Sequence, residues 1–117
     1  MANYRSGLEE RFGKYLDRHG VPFLYEVEKF AYVTESKYTP DFFLPNGVII
    51  EAKGFFKPSD RRKMIAVKQQ HPDLDIRFVF QRNNTISKNS KTTYGAWADK
   101  YGFPWCVYPD VPPHWFE

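Results

Sequence analysis

The sequence predicts an α/β fold in which helices flank a mixed sheet. Three observations support this: an amphipathic stretch near the N-terminus, several short runs rich in β-branched and aromatic residues, and two further helical segments between those runs. An Asn-Gly turn predicts an antiparallel hairpin, whereas strands separated by a helix predict a crossover. The chain has 117 residues, enough for one compact domain and too few for two, so residues 1–117 are expected to form a single domain.

The first predicted element is a helix over residues 5–19. Apolar residues, including Phe12 and Leu16, recur there at helical spacing and form one stripe. Ser6 is a suitable N-cap, and Glu9 follows it by three residues, which is the pattern of a capping box. A glycine then ends the helix.

Residues 23–33 are rich in β-forming side chains, but their apolar alternation changes parity part-way along. Such a change indicates a bulge, a bend or a strand that changes partners. Two strands over residues 38–44 and 48–53 flank a turn at PNG, the strongest short hairpin signal in the chain. The remaining predicted elements are a helix from Pro58 to about residue 71 capped by Ser59, a strand over 76–80, a helix over 92–101 and a short strand in WCVYP.

Composition narrows the class of protein. The single cysteine, Cys106, excludes an internal disulfide and a cysteine-based zinc site, and we expect a packed thiol. No apolar run approaches the roughly 20 residues of a membrane helix, and the N-terminus has no apolar signal core. A net charge of +3 and a pI near 9.0 are compatible with a polyanionic partner. The composition therefore predicts an intracellular protein without a membrane association.

The stretch YTPDFFLPNGVIIEAKG places charged residues in an otherwise apolar hairpin. Glu51 and Lys53 are two residues apart in a strand and therefore point to one face, and the turn brings Asp41 close to them. Two carboxylates on a rigid sheet suit Mg²⁺, with the Ala52 carbonyl as a further ligand. Lys53 beside the metal is then expected to orient or deprotonate the attacking water, or to stabilise charge on a phosphate.

The same residues can also be read as ordinary surface charges on an exposed edge hairpin, where ion pairs are common. The apolar run before Glu51 instead predicts a central strand, and TPDFF embeds Asp41 among core residues. Buried charges are costly unless they are paired or bound to a metal, which favours the metal site.

A Pro-Asp pair followed ten residues later by Glu-X-Lys is the PD-(D/E)XK nuclease pattern, here at positions 40–41 and 51–53. Together with RSGLEE, DRRK, QHPDLDIRFVF and TTYG, in order along nearly the whole chain, the sequence resembles the phage endonuclease I family of Holliday-junction resolvases. The resemblance implies a restriction-endonuclease-like fold and a homodimer that cuts branched DNA with Mg²⁺ or Mn²⁺. The catalytic residues that it implies are Glu9, Asp41, Glu51 and Lys53.

Members of this family exchange an N-terminal portion that includes the first helix, so the resemblance implies that Glu9 completes the site of the partner subunit. The alternative role of Glu9 is that of the capping-box residue in its own helix. The chain departs from the family at its flanks: it begins nearer RSGLEE, its segment before YTPDF is shorter, and it ends without a basic tail. These departures leave the hydrolytic site in place. They affect the expected domain exchange and the tight binding of a four-way junction.

Basic residues follow the predicted metal strand and fill the polar loop near residue 85. They form either a solvated helix face and a flexible loop, or a phosphate-binding rim around the cleavage site. The sequence has no helix-turn-helix or zinc-finger pattern, which favours selection of DNA by structure rather than by sequence. The candidate DNA-binding residues are Arg5, Lys57, Arg61, Arg62, Lys63, Lys68, Arg82, Lys88 and Lys91.

The leading hypothesis is a metal-dependent DNA endonuclease that cleaves branched DNA such as Holliday junctions, in the host cytoplasm if the chain is phage-encoded. One alternative is a site-specific nicking or homing-type endonuclease of the same fold, which sequence preference on a linear duplex would indicate. Another is a DNA-binding module with an idle site, which binding without metal-dependent cleavage would indicate. The complete set of four matched residues favours the active enzyme.

Overall fold

The computed structural model describes residues 4–26, 30–31 and 37–117. Helices in these ranges all lack the length and apolar character needed to cross a bilayer. In chain order the elements are α1 (Gly7–Arg18), β1 (Leu24–Tyr25), β2 (Phe30–Ala31), β3 (Lys37–Tyr38), β4 (Phe42–Phe43), β5 (Val48–Lys53), α2 (Pro58–Gln70), β6 (Asp75–Phe80), α3 (Tyr94–Lys100) and β7 (Trp105–Val107), followed by a 3-10 helix at Pro113–Phe116.

A five-stranded mixed sheet has the order β1-β4-β5-β6-β7. β4 is antiparallel to β1 and β5, whereas β6 is parallel to β5 and β7. The two parallel connections carry α2 and α3, so the predicted crossover is present. β5 is the middle strand, as predicted, and five of its six residues are buried. The predicted α/β class, a mixed sheet flanked by helices, is therefore confirmed.

The sheet separates two apolar clusters. Alternation along β5 sends Ile50 and Ala52 to the cluster that includes residues of α1, and Ile49 to the cluster built with α2 and α3. Glu51 and Lys53 share the parity of Ile49, so they point to one face as the sequence predicted. The charged residues thus stand at the end of a strand that has core on both sides.

Helix α1 follows the predicted cap. Ser6 has an extended backbone, and its hydroxyl accepts the N–H of Glu9 at 3.1 Å. The apolar stripe is buried, and full burial of a side chain such as Phe12 or Leu16 contributes about 1.5–3 kcal/mol. Because this stripe fixes the rotation of α1 against the sheet, it also determines where the first turn directs its polar side chains.

The strand predicted over residues 38–44 is interrupted, and that part of the prediction is wrong. β3 pairs with β2 in a separate two-stranded sheet, and only β4 joins the main sheet. Pro40 has no N–H to offer a ladder. The carboxylate of Asp41 then accepts the N–H of Ala52 at 2.9 Å, where a backbone carbonyl would otherwise be needed. The interruption is what brings Asp41 against β5.

The strand predicted over residues 23–33 is likewise divided. β1 joins the main sheet and β2 pairs with β3, so the parity change marks a strand that changes partners. Glu26 follows β1 with a φ of 54°, in the left-handed region that favours glycine. Residues 27–29 and 32–36, which complete this prediction and the loop expected after it, lie outside the described residues.

The predicted cap of the second helix is wrong. Lys57 rather than Ser59 occupies the N-cap position, and Pro58 is the first helical residue. Proline suits this position because the N–H that it lacks would have no partner there. The third helix is shorter than the predicted 92–101 because Thr93 caps it through its side chain.

Cys106 is a buried free thiol, as predicted. Burial, with a smaller effect of the Asp110 carboxylate, raises its pKa to about 12. Since the thiolate is the nucleophilic form, this thiol is unreactive at neutral pH.

Candidate active site

The four catalytic candidates converge at one end of β5. Glu51 and Lys53 belong to that strand, Asp41 precedes β4, and Glu9 lies in the first turn of α1. Glu9, Asp41 and Glu51 are 5%, 1% and 1% exposed, and within the described ranges they are the buried charged residues. Glu9, Ala52 and Lys53 line a cleft of about 620 Å³.

Asp41 and Glu51 are joined through the backbone. Asp41 N donates to Glu51 Oε2 at 3.0 Å, and Ala52 N donates to Asp41 Oδ2 at 2.9 Å. Tyr38 also donates its hydroxyl to Glu51 Oε2, at 2.9 Å. One oxygen of each carboxylate is therefore tied to the scaffold. The other oxygen of each, Oδ1 of Asp41 and Oε1 of Glu51, is contacted by a cationic side chain.

The charges at the site shift each other's ionisation. Burial, reinforced by the Glu51 carboxylate, raises the pKa of Asp41 well above its usual range. Lys53 Nζ lies 3.6 Å from Glu51 Oε1. Burial lowers the pKa of Lys53, but the Glu51 and Asp41 carboxylates raise it by more, so its pKa is above the ordinary value. Lys53 is consequently a cation at neutral pH.

Glu9 serves the helix and the cleft with different atoms. Its N–H donates to Ser6 Oγ at 3.1 Å, and the Ser6 hydroxyl donates to Glu9 Oε1 at 3.2 Å. Its Oε2 accepts a hydrogen bond from the hydroxyl of Tyr25 and lies 3.8 Å from Arg5 Nε. The capping and active-site interpretations are compatible, because the cap depends on Ser6 and the backbone. Within this single chain, Glu9 belongs to the same cluster as Asp41.

Arg5 contacts three acids at once. Its Nη2 lies 2.7 Å from Asp41 Oδ1, and its Nε contacts Glu26 Oε2 and lies 3.8 Å from Glu9 Oε2. Carboxylate oxygens of these three acids lie within 4.8 Å of one another. Although burial lowers the pKa of Arg5, the Asp41 carboxylate and its other partners raise it by more. Arg5 was predicted as a DNA contact, and in this structure its guanidinium is held by the acids of the site.

The donor set fits a hard divalent cation. Its charged groups are carboxylates, which Mg²⁺ and Mn²⁺ accept as ligands. Repulsion from the Glu51 carboxylate helps to raise the pKa of Asp41, and a bound cation would relieve this repulsion. Ala52 lines the same cleft, and its carbonyl remains a predicted ligand with Asp41 and Glu51.

Sequence reasoning missed several residues of the site. Tyr38 stands three residues before Asp41 in YTPD, so a hydroxyl beside the motif was a usable signal. Glu26 had no local signal, because its approach depends on a left-handed backbone and on the position of β1. Phe55, which lies between Lys53 and Lys57 in the sequence, is 72% exposed and also lines the cleft.

The candidate DNA contacts divide by position. Arg5 and Lys57 line the cleft. Arg61 donates to a backbone carbonyl just before α2 at 2.8 Å, and Lys68 donates to the carbonyl of Gly102, after α3, at 3.2 Å. Of the rest, the exposed side chains are Arg62, Arg82, Lys88 and Lys91, and Lys63 is half-buried. All nine stay predictions as DNA contacts.

A sequence model of one family, described as Phage endonuclease I, matches residues 1–117. The chain belongs to the phage endonuclease I family. Endodeoxyribonuclease 1 of Enterobacteria phage T3 is 45% identical to this member over 103 residues, which cover 85% of this chain and 68% of the relative. Endonuclease I of Escherichia phage T7 is 41% identical over an alignment of 118 positions, which covers 97% of this chain and 78% of the relative. The family predicted from RSGLEE and YTPDF is therefore confirmed.

Proposed function

We propose that this member of the phage endonuclease I family is an endodeoxyribonuclease that hydrolyses phosphodiester bonds in branched DNA, such as Holliday junctions, with Mg²⁺ or Mn²⁺. The observation that carries the proposal is the convergence of buried Asp41 and Glu51 with Glu9 and Lys53 at one end of β5. The two phage relatives are named as an endodeoxyribonuclease and an endonuclease.

Asp41 Oδ1, Glu51 Oε1 and the Ala52 carbonyl would hold the cation. When bound, the cation would polarise the phosphate and lower the pKa of a water nucleophile. The contribution of the chain is preorganisation: the Tyr38 hydroxyl and two backbone amides fix both carboxylates before DNA arrives.

Lys53 acts in this proposal as a fixed positive charge. In the metal-free site the Glu51 and Asp41 carboxylates raise its pKa. As a cation, Lys53 is suited to stabilise charge on the phosphate and to orient water. The Tyr25 hydroxyl and Ser6 position the Glu9 carboxylate in the first turn of α1. From there, Glu9 supports the metal or the water in this proposal.

Recognition of branched DNA is proposed to depend on phosphate contacts and on pairing of two chains. Arg5 and Lys57 line the cleft beside the acids, which supports a proposed contact with the backbone of the cleaved strand. A homodimer supplies two such sites, which a symmetric pair of incisions across a junction requires.

Cleavage of a labelled four-way junction and of its linear duplex in Mn²⁺ tests the function. We expect symmetric paired incisions in the junction, little cleavage of the duplex, and no cleavage by a Glu51→Gln variant that still binds the junction. Protein that leaves junction, nicked and mismatched substrates all uncut would overturn the proposal. Sequence-dependent cutting of the duplex would instead indicate the nicking or homing-type alternative.

A further inference from the structure

The guanidinium of Arg5 lies among the acids where positive charge is needed. We propose that Arg5 is the resident counter-cation of the metal-free site, and that it must release Asp41 before a divalent cation binds. The inference rests on the proposed function and adds a positioning residue to it. It also gives Arg5 a second task, because a released guanidinium remains in the cleft that DNA would enter.

Competition follows from how the oxygens of Asp41 are used. Oδ2 accepts the N–H of Ala52 at 2.9 Å, so it is committed to the scaffold. Oδ1 is the oxygen left for a cation, and Arg5 Nη2 lies 2.7 Å from it. A divalent cation on Oδ1 would therefore lie within about 5 Å of the guanidinium nitrogen, and repulsion between these like charges opposes the binding of both.

Glu26 is the anchor that holds Arg5 there. Its Oε2 is buried without a hydrogen-bond partner among the described residues, and the charge that opposes it is Arg5 Nε. A buried carboxylate oxygen is costly unless an opposite charge compensates it. The left-handed backbone at Glu26 directs this side chain to the site, and an unfavourable φ at such a place is a mark of functional constraint.

Arg5 can leave without disturbing the core. Its side chain is 61% exposed, whereas that of Asp41 is 1% exposed. Lys53 and Lys57 line the same cleft, so a released guanidinium joins a group of cations around the position of a bound phosphate. Cation binding and backbone contact are thereby coupled through one side chain.

The affinity of the DNA-free protein for Mn²⁺, measured by electron paramagnetic resonance, tests the exchange. Arg5→Ala is expected to bind Mn²⁺ roughly tenfold more tightly, since it removes a charge-assisted hydrogen bond that the cation must break. Arg11→Ala is the matched control. Arg11 lines the same cleft and forms no ion pair with an acid in the described part of the chain, so its loss should change the affinity less than about twofold.

Unchanged or weaker binding by Arg5→Ala, or equal tightening by Arg11→Ala, would overturn the inference. Glu26→Gln should also tighten Mn²⁺ binding, and its effect should vanish in the Arg5→Ala background because it acts through Arg5. Weaker binding by Glu26→Gln would make Glu26 a ligand and overturn its role as the anchor.

The measurement separates two failures. Parent protein that binds no Mn²⁺ contradicts the proposed function, whereas parent protein that binds Mn²⁺ with no sensitivity to Arg5→Ala contradicts only the exchange. Thermal unfolding of each variant in a chelator shows that the compared proteins are folded.

Discussion

Asp41 is the residue at which stability and activity oppose each other. Its carboxylate is buried beside Glu51, and these two features raise its pKa in the metal-free fold. A cation site needs the ionised form, whereas burial and the repulsion from Glu51 oppose ionisation in the metal-free fold, where Arg5 supplies the compensating positive charge. This conflict is the usual cost of a preorganised metal site, and it makes the single residue a sensitive probe.

Replacing Asp41 by asparagine is expected to stabilise the metal-free protein and to abolish cleavage. The variant removes repulsion with Glu51 and keeps an oxygen for the N–H of Ala52, while the loss of the exposed Arg5 contact offsets part of the gain. We expect a net increase of about 1 kcal/mol in the free energy of unfolding, measured by urea titration in a chelator.

The control for this variant is Asp75→Asn, which removes the carboxylate of a surface pair with Arg77 and should change stability by less than about 1 kcal/mol. A clear loss of stability in the Asp41→Asn variant would contradict the assignment of repulsion at the site.

Stability and cation affinity should depend on pH in opposite directions. The folded pKa of Asp41 lies above its unfolded value near 3.9, so its contribution to stability is fully present below about pH 3.9 and is lost as the pH rises through the folded pKa. Mn²⁺ binding expels the same proton and should strengthen over the upper part of that range. Titrations of Mn²⁺ at several pH values check this, and Asp41→Asn should flatten the profile.

At the scale of elements, the hairpin β4–β5 positions Asp41 and Glu51, and its turn is hydrogen-bonded to residues 115–117. Asn46 donates Nδ2 to the carbonyls of Trp115 and Glu117, each at 2.9 Å, and its Oδ1 accepts the N–H of Val48 at 3.1 Å. Gly47 has a φ of +87°, a backbone conformation that residues other than glycine rarely adopt. The turn was predicted from Asn-Gly alone, while its attachment to the C-terminal segment was not.

Loss of the Asn46 side chain is expected to destabilise the fold without removing the acids. Asn46→Ala loses three hydrogen bonds and should lower the free energy of unfolding by about 1–3 kcal/mol. Asn46→Asp keeps the acceptor for Val48 and loses the two donated bonds, so its thermal midpoint should lie between those of the parent and the alanine variant. Equal midpoints for all three proteins would show that the attachment contributes nothing.

At the scale of the molecule, the site depends on how α1 is placed against the sheet. Glu9 approaches Asp41 because the stripe of α1 packs in the cluster on its side of β5. In the described chain these contacts are made by its own α1. The exchange of this helix between protomers stays a prediction of the family resemblance.

Mixing two inactive variants distinguishes the arrangements. If Glu9 completes the site of a partner, a dimer of Glu9→Gln with Glu51→Gln contains one intact site and nicks a junction, although neither variant cuts alone. We expect nicking after the two variants are mixed and allowed to exchange subunits, assayed on a labelled four-way junction. No nicking in a verified mixed dimer would place Glu9 in the site of its own chain.

Features of the fold that depend on local sequence were predictable, whereas contacts between distant residues were not. The cap at Ser6, the turn at PNG and the central position of β5 depend on neighbours in sequence, and all three are as predicted. The strand over 38–44 was predicted as continuous, although Pro40, which lacks an N–H, was a local signal against it. The contact of the Asp41 side chain with the backbone of β5 is a tertiary contact, which no local pattern reports.

By itself, the sequence determined the α/β class, the family and the four residues that match its motif, three acids and one lysine, because periodicity, turn chemistry and motif spacing are properties of consecutive residues. Only the tertiary structure decided which side chains hold those acids. Arg5 and Asp41 are 36 residues apart, and Tyr25 and Glu9 are 16 apart. Such pairs meet because strand order, a left-handed residue and the packing of α1 bring them together, and these are consequences of the whole fold rather than of any segment.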